Sequence, residues 1–156
     1  MTYANKLAFT IAAVMICELG YGQTIEESQA LDLGTIAIID NTYIGTINIS
    51  KEGVVSKTGG IGILRYGSPA LFQVRGFDSN RRLYISVQAN QSGTVTNEVS
   101  AEQFTVQSYD SSEYITTNEQ GDAEFSVGAI FATSGSGSSN FRDTVFSAAY
   151  AVTVNY

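Results

Sequence analysis

Apolar and polar side chains alternate along most of the chain after residue 22, and this period of two restricts the fold more than any other feature of the sequence. In residues 83–88 the odd positions are leucine, isoleucine and valine, whereas the even positions are tyrosine, serine and glutamine. Successive side chains of a β-strand point to opposite faces, so this pattern predicts a strand with one buried face. By the same rule Phe72 and Val74 are expected to point inward. No segment holds apolar residues at helical spacing for three turns, and the sequence therefore predicts an all-β protein.

Clusters of Gly, Asn, Asp and Ser separate these segments, and such residues form turns at low conformational cost. We expect the segments to pack as an immunoglobulin-like antiparallel β-sandwich of about seven to nine strands. The Gly/Ser-rich residues 132–140 are expected to form a flexible hairpin loop between the last two strands. The predicted strands are residues 31–39, 43–50, 61–66, 70–76, 83–89, 103–107, 123–132 and 144–156.

The first residues have the composition of a secretory signal. Lys6 precedes an apolar run over residues 7–17, which is as long as the hydrophobic region of a signal peptide and too short to span a bilayer. Gly20 and Gly22 are small residues where a signal peptidase reads the chain, so cleavage is predicted before Gln23. A retained N-terminal anchor is the alternative.

The predicted cleavage divides the chain into a removed signal peptide, residues 1–22, and a single β-sandwich domain, residues 23–156. The only cysteine, Cys17, falls in the signal, so the mature domain is expected to contain no thiol and no membrane span. The expected location is secreted: the periplasm in transit, and then the cell surface or an extracellular fibre.

The composition argues against several classes of function. The chain has no histidine, which removes the Ser-His-Asp and Cys-His arrangements and histidine metal sites. Its net charge of −7 lacks the basic surface that nucleic acids require. The carboxylates are scattered over turns and polar faces, with no inward pair of the kind that glycoside hydrolysis uses. We therefore expect a non-enzymatic protein with no catalytic residue, metal ligand or cofactor.

The C-terminal segment carries the strongest single pattern. From Phe146 onward every even position is apolar or small, which predicts a long half-buried strand that runs to the last residue. Such a strand could simply close the sandwich, or it could also be recognised by another protein through β-strand addition. The residues predicted to anchor the strand for partner recognition are Phe146, Tyr150, Val152, Val154 and Tyr156.

Residues 150–156, Tyr-Ala-Val-Thr-Val-Asn-Tyr, resemble the C-termini of bacterial chaperone–usher pilin subunits, especially the archaic branch that includes spore-coat-U-like proteins. The chain is still more similar to an uncharacterised family of exported bacterial β-sandwich domains related to those subunits. Further segments that fall in that family's order are residues 33–36, 72–76, 84–87 and 125–129.

The resemblance implies a structural subunit of a surface fibre or coat, whose last strand is presented to a periplasmic chaperone or a neighbouring subunit, with a homopolymer as one outcome. Two features depart from the pilin pattern. The mature chain has no cysteine for the usual disulfide, and residues 23–30 hold one large apolar side chain and would make a poor donor strand. The alternative is therefore a self-complete adhesin or glycan-binding module, in which exposed Tyr84, Tyr109 and Tyr114 could stack on a sugar.

Overall fold

The structure is a computed structural model that describes residues 7–15, 22–89, 94–95, 103–138, 141 and 143–156; for residues 7–15, 94–95 and 144 it describes the backbone alone. All regular secondary structure in these ranges is β-strand, which confirms the all-β sandwich. The described ranges contain no helix long and apolar enough to cross a membrane. The thirteen strands in these ranges are β1 (Leu7–Met15), β2 (Thr24–Gln29), β3 (Thr35–Asp40), β4 (Thr46–Ile49), β5 (Val55–Lys57), β6 (Gly60–Arg65), β7 (Ala70–Arg75), β8 (Arg82–Ala89), β9 (Thr94–Val95), β10 (Phe104–Ser111), β11 (Tyr114–Thr116), β12 (Ala123–Ala132) and β13 (Thr144–Asn155).

The strands form two sheets. The first has six strands in the order β11-β8-β13-β1-β3-β6. The second has seven, in the order β2-β7-β12-β10-β9, with β4 paired to β12 and β5 paired to β4. β12 is central because β7 pairs with its first half and β4 with its last residues along one edge, while β10 pairs with the other edge. The β1–β13 pair is parallel, and the other strand pairs of the described residues are antiparallel.

The period-two alternation places the core between the two sheets. Leu83 and Ile85 of β8 are buried, whereas Tyr84 and Ser86, which alternate with them, are exposed, as the sequence predicts. Phe72 and Val74 of β7 are also buried, which confirms the inward face of that strand. Phe72 lies opposite Phe125 of β12 in register, and the two rings stack with centroids 5.0 Å apart.

The predicted strand over residues 31–39 begins later than expected, at Thr35. Residues 31–34 carry the chain from β2 in one sheet to β3 in the other. Leu31 and Leu33 are buried on this crossing, so the apolar pattern there reflects core packing and not a continuous strand.

The Gly/Ser-rich segment does not form the predicted hairpin loop. β12 ends in the second sheet and β13 begins in the first, so the segment crosses between sheets. Buried Asn41 holds it in place: its Nδ2 donates to Ser134 Oγ at 3.0 Å and to the Ser138 carbonyl at 2.9 Å. The Gly135 N–H in turn donates to Asn41 Oδ1 at 3.0 Å. The hairpin prediction was wrong because turn composition marks a loop and does not say which strands it joins.

Candidate functional site

The candidate site is β13, which has different partners on its two edges. Residues 150–155 pair antiparallel with residues 84–89 of β8. On the opposite edge residues 144–152 pair in parallel with all nine residues of β1, from Leu7 beside Thr144 to Met15 beside Val152. β1 also pairs with β3, where Leu7 lies opposite Ile36 and Ala8 opposite Thr35. Within the described residues β1 is the strand that joins β13 to β3 in the sheet order.

Four of the five predicted anchor residues point into the core of their own domain. Phe146, Tyr150 and Val152 are completely buried and Val154 almost so. Phe146 packs edge-on against Phe104, with ring centroids 5.1 Å apart. A partner strand would therefore meet the backbone edge of β13, while these side chains fix the strand in place. Their role in partner recognition stays a prediction.

The fifth anchor, Tyr156, is different because 54% of it is exposed. Its ring lies edge-on to Phe77, with centroids 5.9 Å apart, and the Arg81 guanidinium lies 5.5 Å from its centre. Tyr156 therefore covers one end of the sandwich and contributes little to the core.

Tyr150 connects β13 to the opposite sheet through both its ring and its hydroxyl. Its ring lies edge-on to Phe72 at 6.4 Å and beside Tyr109 at 5.4 Å, both on strands of the opposite sheet. Its buried hydroxyl donates to Glu27 Oε1 at 3.0 Å. Glu27 precedes a bulge in the β2–β7 pairing. The sequence did not single out Glu27, since the adjacent Glu26 makes the pair look like an ordinary charged surface.

Burial and the neighbouring charge disfavour ionisation of this tyrosine. Burial, followed by the Glu27 carboxylate, holds the pKa of Tyr150 far above its usual range of about 10. Burial also raises the pKa of Tyr109 to about 12. Both hydroxyls thus stay protonated in the folded protein at pH values where an unfolded chain begins to lose those protons.

We expect the free energy of unfolding to fall above about pH 10. A folded pKa above the unfolded one gives stability that is complete below the unfolded pKa and is lost as the pH rises toward the folded pKa. The slope should reach about 1.4 kcal/mol per pH unit for each of the two tyrosines. Urea unfolding at pH 8, 10, 10.5 and 11 measures this slope, and Tyr109→Phe and Tyr150→Phe should each reduce it. An equal slope in wild type and both variants would contradict the assignment.

The start of β3, which lies beside β1, is fixed by an ion pair. The two terminal nitrogens of the Arg65 guanidinium, Nη1 and Nη2, donate to Asp32 at 2.7 and 3.1 Å, and the Gly34 N–H donates to the same carboxylate at 2.8 Å. Partial burial opposes ionisation of Asp32, but these hydrogen bonds outweigh it and lower the pKa of the carboxyl below its usual value. The charged pair thus holds the crossing segment against β6.

The three tyrosines proposed for sugar stacking do not lie together. Tyr84 and Tyr114 lie opposite each other on β8 and β11, both about half exposed, with ring centroids 6.5 Å apart at an angle of 60°. The Arg82 guanidinium covers one face of Tyr114 at 4.4 Å. Tyr109, which was expected to be exposed, is partly buried on β10 of the other sheet, where its ring packs across the core against Tyr150.

A shallow cleft of about 270 Å³ lies over β7 and β12, lined in part by Asp122 and Glu124. Its polar groups bind one another: Gln73 Nε2 donates to Glu124 at 2.9 Å, and Arg75 donates to Gln73 Oε1 at 2.7 Å. In the part of the chain that the structure describes, no group of three His, Cys, Asp or Glu side chains could hold a metal ion.

Together these features define a β-sandwich domain whose C-terminal strand carries a parallel strand along one edge. The chain belongs to the family described as "Domain of unknown function (DUF4402)", whose sequence profile matches residues 24–156. No curated protein matches the chain. The matched region begins with β2, so β1 lies outside it.

Proposed function

We propose that the chain is a non-enzymatic structural subunit of a bacterial surface fibre or coat, whose strand β13 receives a strand from a periplasmic chaperone or a neighbouring subunit. The observation that carries this proposal is the origin of the strand that lies between β13 and β3. That strand consists of residues 7–15, which lie outside the family domain and inside the predicted signal peptide.

Removal of residues 1–22 would leave this sheet with an internal gap. The edges of β13 and β3 that pair with β1 would then present backbone N–H and C=O groups without their strand partner. Such edges pair readily with any extended segment that reaches them. A gap bordered by two strands is more selective than an outer edge, because the incoming strand can pair on both sides.

The segment that follows the predicted signal does not supply the missing strand. β2 pairs with β7 from Thr24 opposite Arg75 to Gln29 opposite Leu71, in the other sheet. Ile25, its large apolar side chain, is buried in the core. The strand for β13 would therefore come from another protein, and the pairing of β2 adds to the sequence argument that residues 23–30 would make a poor donor strand.

A photo-crosslinking amino acid at exposed Ser147 of β13 tests the proposal in cells that export the full chain. We expect a covalent adduct in which mass spectrometry finds a partner segment of alternating apolar residues, and electron microscopy should show the protein in a fibre or coat. The same amino acid at exposed Ser56 of β5 is the matched control and should give no adduct. An exported monomer without an adduct at residue 147 would refute the proposal.

The second candidate function is glycan binding, which the exposed Tyr84–Tyr114 pair favours because aromatic rings are common sugar platforms. A glycan array that gives signals with wild type and none with Tyr84→Ala would support it. Signals that survive both Tyr84→Ala and Tyr114→Ala would exclude this pair as the binding surface.

A further inference from the structure

We infer that residues 7–15 act as a placeholder strand: while they remain attached, they occupy on β13 the position that a partner strand takes after their removal. The inference deepens the proposed function and rests on it for the identity of the later occupant. The pairing of β1 with β13 in the same chain is observed independently of that function.

The pairing of β1 is extensive and has a defined direction. All nine of its residues pair with β13 in a continuous parallel register, without a bulge. Its first two residues also pair antiparallel with β3. β1 therefore lies between two strands at its first two residues and pairs with β13 along its whole length, so it does not add to an outer edge of the sheet.

The chain can reach this position. Residues 16–23 connect the end of β1 to the start of β2, which lies in the other sheet. An extended segment covers about 3.3 Å per residue, so this length exceeds the roughly 10 Å between packed sheets. Two parallel strands cannot be joined by a tight turn and need a long connection between them. Nearly the whole domain lies between β1 and β13 along the chain, so this requirement is met.

The presence of β1 determines when a partner strand can bind β13. Two strands cannot use the same backbone edge at once, so the attached segment and a partner strand exclude each other. While residues 7–15 are present, the edge of β13 is covered and protected from unwanted pairing. Their removal would open the edge at the point where export makes a partner available.

Designed disulfides test the cis pairing and its direction. In parallel register Ala8 pairs with Val145, whereas a reversed strand over the same residues would bring Ala8 to Ala151. Neighbouring strands lie about 4.8 Å apart, within the Cα separation that a disulfide allows. In full-length chains with Cys17→Ser, we expect Ala8→Cys with Val145→Cys to cross-link at least ten-fold more than Ala8→Cys with Ala151→Cys. Equal yields, or preference for the second pair, would overturn the inference.

Competition by a peptide tests the mutual exclusion. The probe is a lysine-flanked peptide with the sequence of residues 7–15, added to full-length chains. It should bind Ala12→Pro, which interrupts β1, at least ten-fold more tightly than it binds the cross-linked Ala8→Cys, Val145→Cys chain. Ala4→Pro lies before β1 and is the matched proline control, with affinity like wild type. Equal binding to open and cross-linked chains would overturn the inference.

The two proposals can fail separately. If the cross-link forms and blocks the peptide but the exported chain captures no partner, the placeholder stands and the fibre subunit falls. If a partner adduct forms at residue 147 but Ala8 does not cross-link to residue 145, the proposed function stands and the placeholder falls. Should Ala12→Pro fail to fold, the cross-linked and reduced forms of the cysteine variant give the same comparison.

Discussion

We expect Tyr150→Ala to lower the free energy of unfolding by about 3–5 kcal/mol, and Tyr150→Phe by about 1–3 kcal/mol. The alanine variant loses a fully buried ring that packs on Phe72 and Tyr109 across the core. The phenylalanine variant keeps the ring and loses the hydrogen bond to Glu27. Hydrogen bonds to charged groups contribute more than those between neutral groups, which places this loss above that of an average side-chain bond.

Urea unfolding at pH 7 measures both losses. Tyr156→Ala is the matched control in the same strand region: Tyr156 is more than half exposed, so its loss should be about 1 kcal/mol or less. Glu27→Gln, combined with Tyr150→Phe in a double-mutant cycle, isolates the hydrogen bond. Additive effects of these two substitutions would contradict the direct interaction.

If β13 receives a partner strand as proposed, the same residue would determine how well the strand is held in place for it. Because Tyr150 ties β13 to the opposite sheet through both ring and hydroxyl, the strand keeps its position when the neighbour on its β1 edge changes. An edge that stays in place can accept an incoming strand without first being ordered. Tyr150→Phe should therefore weaken strand capture through loss of order in β13, even though the hydroxyl lies on the far side of the core.

The alternation of residue types predicted the core-facing residues of β7, β8 and β13, except at the terminal Tyr156, which is more than half exposed. It correctly assigned Phe72, Leu83 and Tyr150 to the interior, and β12 was predicted with the bounds that the structure shows. These predictions succeed because strand periodicity is a local property of the chain and needs no knowledge of the neighbouring strand.

Features that depend on pairing could not be predicted in the same way. β5, β9 and β11 have three residues or fewer, too short to show a period of two. The Glu27–Tyr150 hydrogen bond joins residues 123 positions apart. The candidate site belongs to this group, because the sequence identified the face of β13 but not the strand on its edge. An apolar run such as residues 7–15 has the same composition whether it serves as a leader or as a strand.

Gly34 is a position next to β3 where one added methyl group should strongly disturb the strand that borders β1. Its φ of +85° is unfavourable for any residue with a Cβ, and a Cβ placed there would lie 2.2 Å from the Arg65 carbonyl oxygen. The same Cβ would lie 2.7 Å from the Gly67 backbone nitrogen, so it cannot avoid the Arg65 oxygen by moving toward Gly67. Gly34→Ala must therefore displace backbone on both sides, and we expect it to lower the free energy of unfolding by about 3–5 kcal/mol.

Gly137→Ala separates the effect of φ from the effect of crowding. Gly137 has a similar φ of +79°, but a Cβ there meets nothing within 4 Å, so this variant should lose only about 1 kcal/mol. Because Gly34 directly precedes the residues of β3 that pair with β1, hydrogen exchange should accelerate at Thr35 and Ile36 in Gly34→Ala and stay unchanged in Gly137→Ala. Equal losses of stability in the two variants would show that the contacts with Arg65 and Gly67 can relax. The β3 side of the position that β1 fills would then be adjustable, and under the proposed function the selectivity for an incoming strand would have to come from β13 alone.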